Sequence, residues 1–225
     1  MSSGEAKILY FDSIPAVPKK EMILARLGFK NNITLLENDQ RAFLEEGITR
    51  GLSLCHPKGV FGRFKIVEKV EDRIILDNDL ALQSRSLAKL LDRSCEVVLM
   101  AATVGKEVVE ESLSQVQGGD AALGVIIDST ASQTADAAIT WIMECVDKLV
   151  RREGKRVTKH RYSPGFGDLS LINQKAIFEM LDLSRLGLGI TDKHMLVPEK
   201  SVIAIIGIEG CKFDEEGRIL QLSDK

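Results

Sequence analysis

The chain has 225 residues, 44% of them hydrophobic and 28% charged, with a formal net charge of −3, and it is long enough to bury a substantial core. A pI near 5.7 leaves no basic surplus to neutralise phosphates, and 5% aromatic residues leave little for base stacking, which excludes nucleic acid as the main partner. No apolar run reaches the roughly 18 residues of a membrane span, and Met1-Ser2-Ser3-Gly4-Glu5 has neither region of a secretory leader, so a cytoplasmic protein with no membrane partner is expected.

Ile8 to Pro15 reads as a short strand ending at a proline. Residues 18–27 place Met22, Ile23, Leu24 and Leu27 at helical spacing, with Gly28 as the stop. A second helix is expected from about Leu36 to Cys55, closed by His56-Pro57. Residues 59–77 alternate as a β-hairpin. Val60, Phe61, Phe64, Ile66 and Val67 form one arm and Ile74, Ile75 and Leu76 the other, with Glu71-Asp72 near the turn. Ser84 to Leu91 reads as a short helix, Glu96 to Val104 as a central strand, and Lys106 to Gln115 as a helix broken by Gly118-Gly119.

From Asp120 to Arg152 one long helix is expected, because Leu123, Ile127, Ala131, Ala138, Ile142, Cys145 and Leu149 recur at three-to-four spacing. Asp136 stands in its alanine-rich middle, where a ligand can come close; a solvated helix face is the other reading of it. Ser170 is a candidate cap for a helix running to about Leu183. Leu186 to Ile190 and Ser201 to Ile208 read as strands, the second apolar enough to be buried on both faces. Past Gly210 the chain is charged, with Ile219, Leu220 and Leu222 as candidates for an edge strand. No repeat or linker interrupts this order. The expected fold is α+β over residues 1–225 as one domain: a twisted, mostly antiparallel sheet flanked by helices, one of them long and central.

Cys55, Cys95, Cys145 and Cys211 are scattered without a C-x-x-C pair, which fits a reducing compartment. Cys95 and Cys145 sit among Val, Ile, Leu and Met and read as buried small hydrophobes. His56, His160 and His194 lack ligand spacing, so no metal site is assigned.

The most informative stretch is Arg161-Tyr162-Ser163-Pro164-Gly165-Phe166-Gly167-Asp168, which follows the basic residues Lys155, Arg156, Lys159 and His160. Pro164 fixes its own φ and extends Ser163, while Gly165 and Gly167 permit backbone angles that a β-carbon forbids. The segment reads as a shaped turn with free N–H groups. Arg161 beside it can grip a carboxylate with two parallel hydrogen bonds. A purely structural turn is the competing reading, and no Gly-x-x-x-x-Gly-Lys or Gly-x-Gly-x-x-Gly pattern supports a phosphate cradle.

Arg-x-x-x-Gly-aromatic at 161–166, Leu-Gly-x-x-Ile-Thr at 186–191 and Met-Leu-x-Pro-x-x-Ser-Val at 195–202 together resemble the S-adenosylmethionine-binding activation domain of cobalamin-dependent methionine synthase. The resemblance is strongest over residues 157–208 and is similar to the stand-alone versions of that domain. It implies an accessory protein that binds S-adenosylmethionine and docks on a separate methionine synthase lacking its own activation domain. The partner would hold the cobalamin, and an electron donor such as flavodoxin would act on the complex. Oxidised cob(II)alamin would then be reductively methylated and methionine biosynthesis restored.

The same resemblance implies binding roles and no catalytic side chain. Arg161 would clamp the methionyl carboxylate, and the turn formed by Tyr162, Ser163, Pro164, Gly165, Phe166 and Gly167 would meet adenine and ribose. Asp136 would face the ammonium or sulfonium, with Asp128 as the competing choice on the long helix. Asp12, in Tyr10-x-Asp12-x-x-Pro15, matches a ligand-contacting aspartate, although a loop cap is the plainer reading of it. The chain departs from the family at Phe166, which replaces a tyrosine, and it lacks the tyrosine beyond the Ser-Val strand. Tyr162 points to the opposite face in an extended segment and does not substitute for either. Two alternatives stay open: a corrinoid-protein docking module without adenosylmethionine binding, and a reactivation partner of a different corrinoid methyltransferase.

Overall fold

The computed structural model describes residues 8–29 and 37–210. At its centre lie β5 (Ser94–Thr103) and β9 (Ser201–Glu209), antiparallel with Leu99 opposite Ile205. Alternate side chains of a strand face opposite sides of the sheet. Val97, Leu99, Ala101, Ile203 and Ile205 therefore enter one core, and Val98, Met100, Ala102, Ala204, Ile206 and Ile208 the other. All are buried, as the unbroken apolar runs in both segments predict.

Around this pair the sheet has seven strands, in the order β4 (Ala81–Gln83), β3 (Arg73–Leu76), β2 (Lys58–Val70), β5, β9, β6 (Arg156–Val157), with β1 (Ile8–Phe11) on β2. Every pairing is antiparallel. The first half of β2 lies between β1 and β5; past a register shift between Ile66 and Glu68, the second half pairs with β3. A shift of this kind bends a strand, which lets one long strand serve both parts of the sheet.

The first face is covered by α3 (Arg85–Leu90), α6 (Asn173–Met180), a 3₁₀ turn at Leu183–Leu186 and the β3–β4 hairpin, through Leu87, Ile177, Leu183 and Leu82. The second face is covered by the C-terminal half of α5 (Ala121–Arg151), 31 residues long, through Ala138, Ile139, Ile142, Val146 and Val150. Asp120 starts this helix by accepting a hydrogen bond from the Leu123 amide at 3.0 Å. Its N-terminal half packs against α1 (Lys20–Arg26), α2 (Asn38–Ser53) and α4 (Glu107–Gln117), with Ile126 meeting Ile23, Leu44 and Ile48.

Four expectations are corrected. The apolar stripe of α5 passes to Val146 and Val150, leaving Cys145 half-buried and Leu149 exposed, because a 3.6-residue repeat drifts off a strict heptad over several turns. Ser170 does not cap α6: the residue at its N-cap is Ile172, whose amide meets the Ser170 hydroxyl at 3.4 Å in a preceding turn. Residues 186–190 hold the end of the 3₁₀ turn, Gly187 at φ 78°, and only β7 (Gly189–Ile190), paired with β8 (Leu196–Val197). Cys95 is buried but disulfide-bonded, not a simple apolar thiol, which runs against the reducing compartment expected from the cysteine spacing. The expected edge strand at Ile219, Leu220 and Leu222, and Cys211, lie outside the described residues.

One charge network ties the segment just after α5 back to the sheet. Arg63 on β2 donates to Glu96 on β5 at 2.9 Å and to both Glu153 oxygens at 2.6 Å, while Lys155 reaches Glu96 at 2.7 Å. Burial pushes the Glu96 carboxyl up, but the Arg63 and Lys155 contacts outweigh it and hold Glu96 below the usual carboxylate range. A depressed folded-state pKa contributes stability that is complete above the unfolded value, near ~4.3, and is lost as pH falls through the folded value. Denaturation midpoints measured from neutral pH down through that window should fall more steeply for wild type than for Glu96→Gln. Parallel curves would show that Glu96 titrates alike in the folded and unfolded chain.

Candidate functional site

After α5 the chain returns along the free edge of β9. Thr158 and Gly207 bond at 2.9 Å through main-chain atoms, and Tyr162 and Ile205 exchange N–H···O bonds of 2.9 and 2.7 Å. That pairing gives the segment strand-like alternation, and it sends neighbouring side chains to opposite faces. Tyr162 packs into the first core. Arg161 turns to α5, where its Nη1 donates to Thr140 Oγ1 at 3.0 Å and its Nη2 pairs with Asp136 Oδ1. Asp136 and Thr140 lie one helical turn apart on the same face. Asp128, the competing acidic residue, pairs with Lys200 at 2.7 Å, so Asp136 is the one beside Arg161.

The Arg161 and Asp136 side chains keep 28% and 53% of their surface exposed, so a ligand can reach the pair. A guanidinium set against a carboxylate complements the two charges of an α-amino acid in the opposite sense. The pair therefore has the charge complement of a zwitterionic amino acid.

Downstream, the turn at 163–168 is built as the sequence suggests, with buried Pro164 and with Gly165 and Gly167 at φ 88° and 52°. Its amides are less free than expected. Gly165 N donates to Leu169 O at 2.8 Å and Phe166 N to Ser163 O at 3.1 Å; the Gly167 and Asp168 amides have no acceptor among the described residues. Phe166 is 69% exposed, an apolar ring offered to solvent or to a flat ligand.

Asp168 closes the turn, and sequence reasoning gave it no role. Its carboxylate accepts from the Ser84 hydroxyl at 2.6 Å, from the Arg85 and Ser86 amides at 2.7 and 3.2 Å, and from the Tyr162 hydroxyl at 3.4 Å. The Ser84 hydroxyl above all, with the two amides, holds this carboxyl well below the usual range. The contact joins residues 84 positions apart in the chain, and no local pattern signals it.

Asp12 lies elsewhere. It lines a cleft of about 990 Å³ with His56, Lys58, Lys106, Glu107 and Pro198, and a second cleft of about 600 Å³ runs beside Ser84, Asp168 and Ser170; neither takes in Arg161. No hydrogen bond or ion pair among the described residues joins Asp12 to Arg161 or Asp136. Across the sheet, Phe11 stacks edge-on against Trp141 of α5 at 5.1 Å, so the long helix touches both regions. His56 meets Glu107 at 2.8 Å. Burial, opposed by a hydrogen bond with Thr134, pushes the Cys55 thiol in this cleft up to about 11, which removes it as a nucleophile at neutral pH. Among the described residues no three His, Cys, Asp or Glu side chains converge to hold a metal, and no helix is long and apolar enough to cross a membrane.

No family model matches the sequence, and no curated protein does. The fold does match a solved structure, the crystal structure of the MetH reactivation domain bound to AdoHcy. The TM-score is 0.63 at 16% sequence identity, over 90% of this chain and 78% of that one. The α+β architecture with its antiparallel sheet and long helix is thus the fold of that reactivation domain.

The Asp168 clamp is directly measurable. Asp168→Ala should speed hydrogen exchange at the Arg85 and Ser86 amides by about tenfold or more while leaving the middle of α5 unchanged, since local openings are decoupled from the global one. Unchanged protection at both amides would show that water replaces the carboxylate without loss.

Proposed function

We propose that this chain, which has the fold of the MetH reactivation domain, binds S-adenosylmethionine and docks on a separate cobalamin-dependent methionine synthase that lacks an activation domain of its own. The observation that carries the reading is the solvent-open Arg161–Asp136 pair on that fold. Arg161 takes the methionyl carboxylate in a bidentate grip, and Asp136 faces the ammonium. Phe166 lies against adenine, and the Gly167 and Asp168 amides are available to ribose. Ser163, Pro164, Gly165 and Tyr162 act by shaping the turn; the Tyr162 hydroxyl is turned to Asp168. Asp12 takes part only where the bound ligand extends into its cleft.

When bound, S-adenosylmethionine would supply the methyl group for a cobalamin held by the partner, with the electron coming from a flavodoxin-like donor. The chain's own task is orientation, and no general base is required of it, because a sulfonium methyl is transferred without deprotonating the acceptor. Positioning of this kind lowers a barrier by several kcal/mol, up to about 7–11 in ideal cases. The whole chain acts as one domain, with neither nucleic acid nor membrane as partner. One observation favours the alternative of a docking module that does not bind adenosylmethionine: Arg161 is already satisfied by Asp136 and Thr140.

Calorimetric titration separates the two. The purified chain should bind S-adenosylmethionine without added metal, and Arg161→Ala should weaken binding by about 1.5–3 kcal/mol, with Arg161→Lys recovering only part of the loss. Asp136→Asn should lower affinity at nearly constant melting temperature, and Asp128→Asn should leave it intact. When the chain is mixed with a corrinoid-bearing methionine synthase, the cob(II)alamin absorbance should disappear only with reductant and S-adenosylmethionine both present. Methyl transfer to a small acceptor without any corrinoid protein would overturn the proposal.

A further inference from the structure

We infer that Thr140 is the positioning residue for Arg161: it holds the guanidinium by a neutral hydrogen bond that stays in place when a ligand carboxylate displaces Asp136. The inference rests on the adenosylmethionine reading above and adds to it a residue that neither the motifs nor the fold comparison singles out.

The argument begins with where protons are. The Thr140 hydroxyl donates its single proton to the Asp136 carbonyl, one turn earlier, at 2.8 Å. Its oxygen is then left as an acceptor only, and it meets Arg161 Nη1 at 3.0 Å. The orientation of the bond is therefore fixed by the helix itself. Asp136 contacts the other terminal nitrogen, Nη2, so the two α5 residues hold separate corners of one planar fork.

Their consequences for a ligand differ. A carboxylate on Nη2 neutralises the guanidinium and competes with any incoming carboxylate for the same donors. A hydroxyl orients the fork while leaving its full positive charge. When the methionyl carboxylate arrives and Asp136 turns to the ammonium, Thr140 keeps Nη1 in place and uses only one of five N–H donors. The root of the side chain is fixed as well, because the next residue, Tyr162, is bonded to Ile205 in both directions. With backbone and one corner of the tip both held, Arg161 loses little freedom on binding, which is what preorganisation supplies.

The test compares Thr140→Val, which keeps the branched shape and removes the hydroxyl, with Thr140→Ser, which keeps the hydroxyl. Two readouts are taken on the full chain: affinity for S-adenosylmethionine by calorimetry, and the order of the Arg161 Nε–H bond in the ligand-free protein by nitrogen-15 relaxation. Thr140→Val should bind about tenfold more weakly and show lower Arg161 order, with Thr140→Ser within about twofold of wild type in affinity. Added to Arg161→Ala, Thr140→Val should cost nothing further, because the partner it orients is gone. Equal binding and equal Arg161 order in wild type and Thr140→Val would overturn the inference. So would equal losses in the Val and Ser variants, which would point to packing by the methyl group. If wild type itself fails to bind S-adenosylmethionine, the functional reading falls, and the relaxation arm still decides whether Thr140 holds Arg161.

Discussion

The reciprocal backbone bond between Tyr162 and Ile205 sets the phase of the whole site. β9 is buried on both faces, so its polar main-chain groups need partners along the edge as well. The chain returning from α5 supplies them at β6, at Thr158 and at Tyr162. Because strand-like pairing alternates side chains, fixing Tyr162 toward the first core delivers Arg161 to α5 on the second. A slip of one residue would bury the guanidinium under the sheet and put the phenol beside Asp136.

The long helix does the complementary work. Its C-terminal half packs on the sheet through Ile139, Ile142 and Val146, so the rotation of the helix is set by apolar side chains on one side. Asp136 and Thr140 then emerge together on the flank that faces the β9 edge. Neither residue is held by the core, yet both are aimed by it. The open ion pair is thus a product of two independent registers, one of a strand edge and one of a helix, which meet at Arg161.

How much of this could be read from residues alone depends on the range of the interaction. The two-sided burial of Ser201–Ile208 and the central strand at Glu96–Val104 were legible because an apolar run in a strand has few other homes. The span of α5 was legible from its three-to-four apolar spacing, while the Asp120 cap came only with the structure. The turn at Pro164–Gly167 announced itself through proline and glycine. The choice of Asp136 over Asp128 came from the resemblance, and in the fold Asp136 pairs with Arg161. What stayed hidden was tertiary: Asp168 reaching Ser84, and the brief β7–β8 pairing that two-residue strands cannot signal. Thr140 falls in the same class, since a threonine inside a helix has no pattern until its neighbour across the groove is known. Asp12 fitted a motif at one end of the chain, and its position in a separate cleft could not be read from that spacing.

Tyr162 and Gly167 sit at the two ends of the turn, and a β-carbon on Gly167 would stand 2.3 Å from the Tyr162 hydroxyl. Space at one position is therefore occupied by the other. A lineage that replaces Gly167 with any residue bearing a side chain must first shorten or move the tyrosine, and one that loses the tyrosine opens a void that a small residue at 167 can fill. Across sequences of this fold the two sites should change as a pair, and a chain carrying a bulky residue at both would have had to rebuild the turn around them.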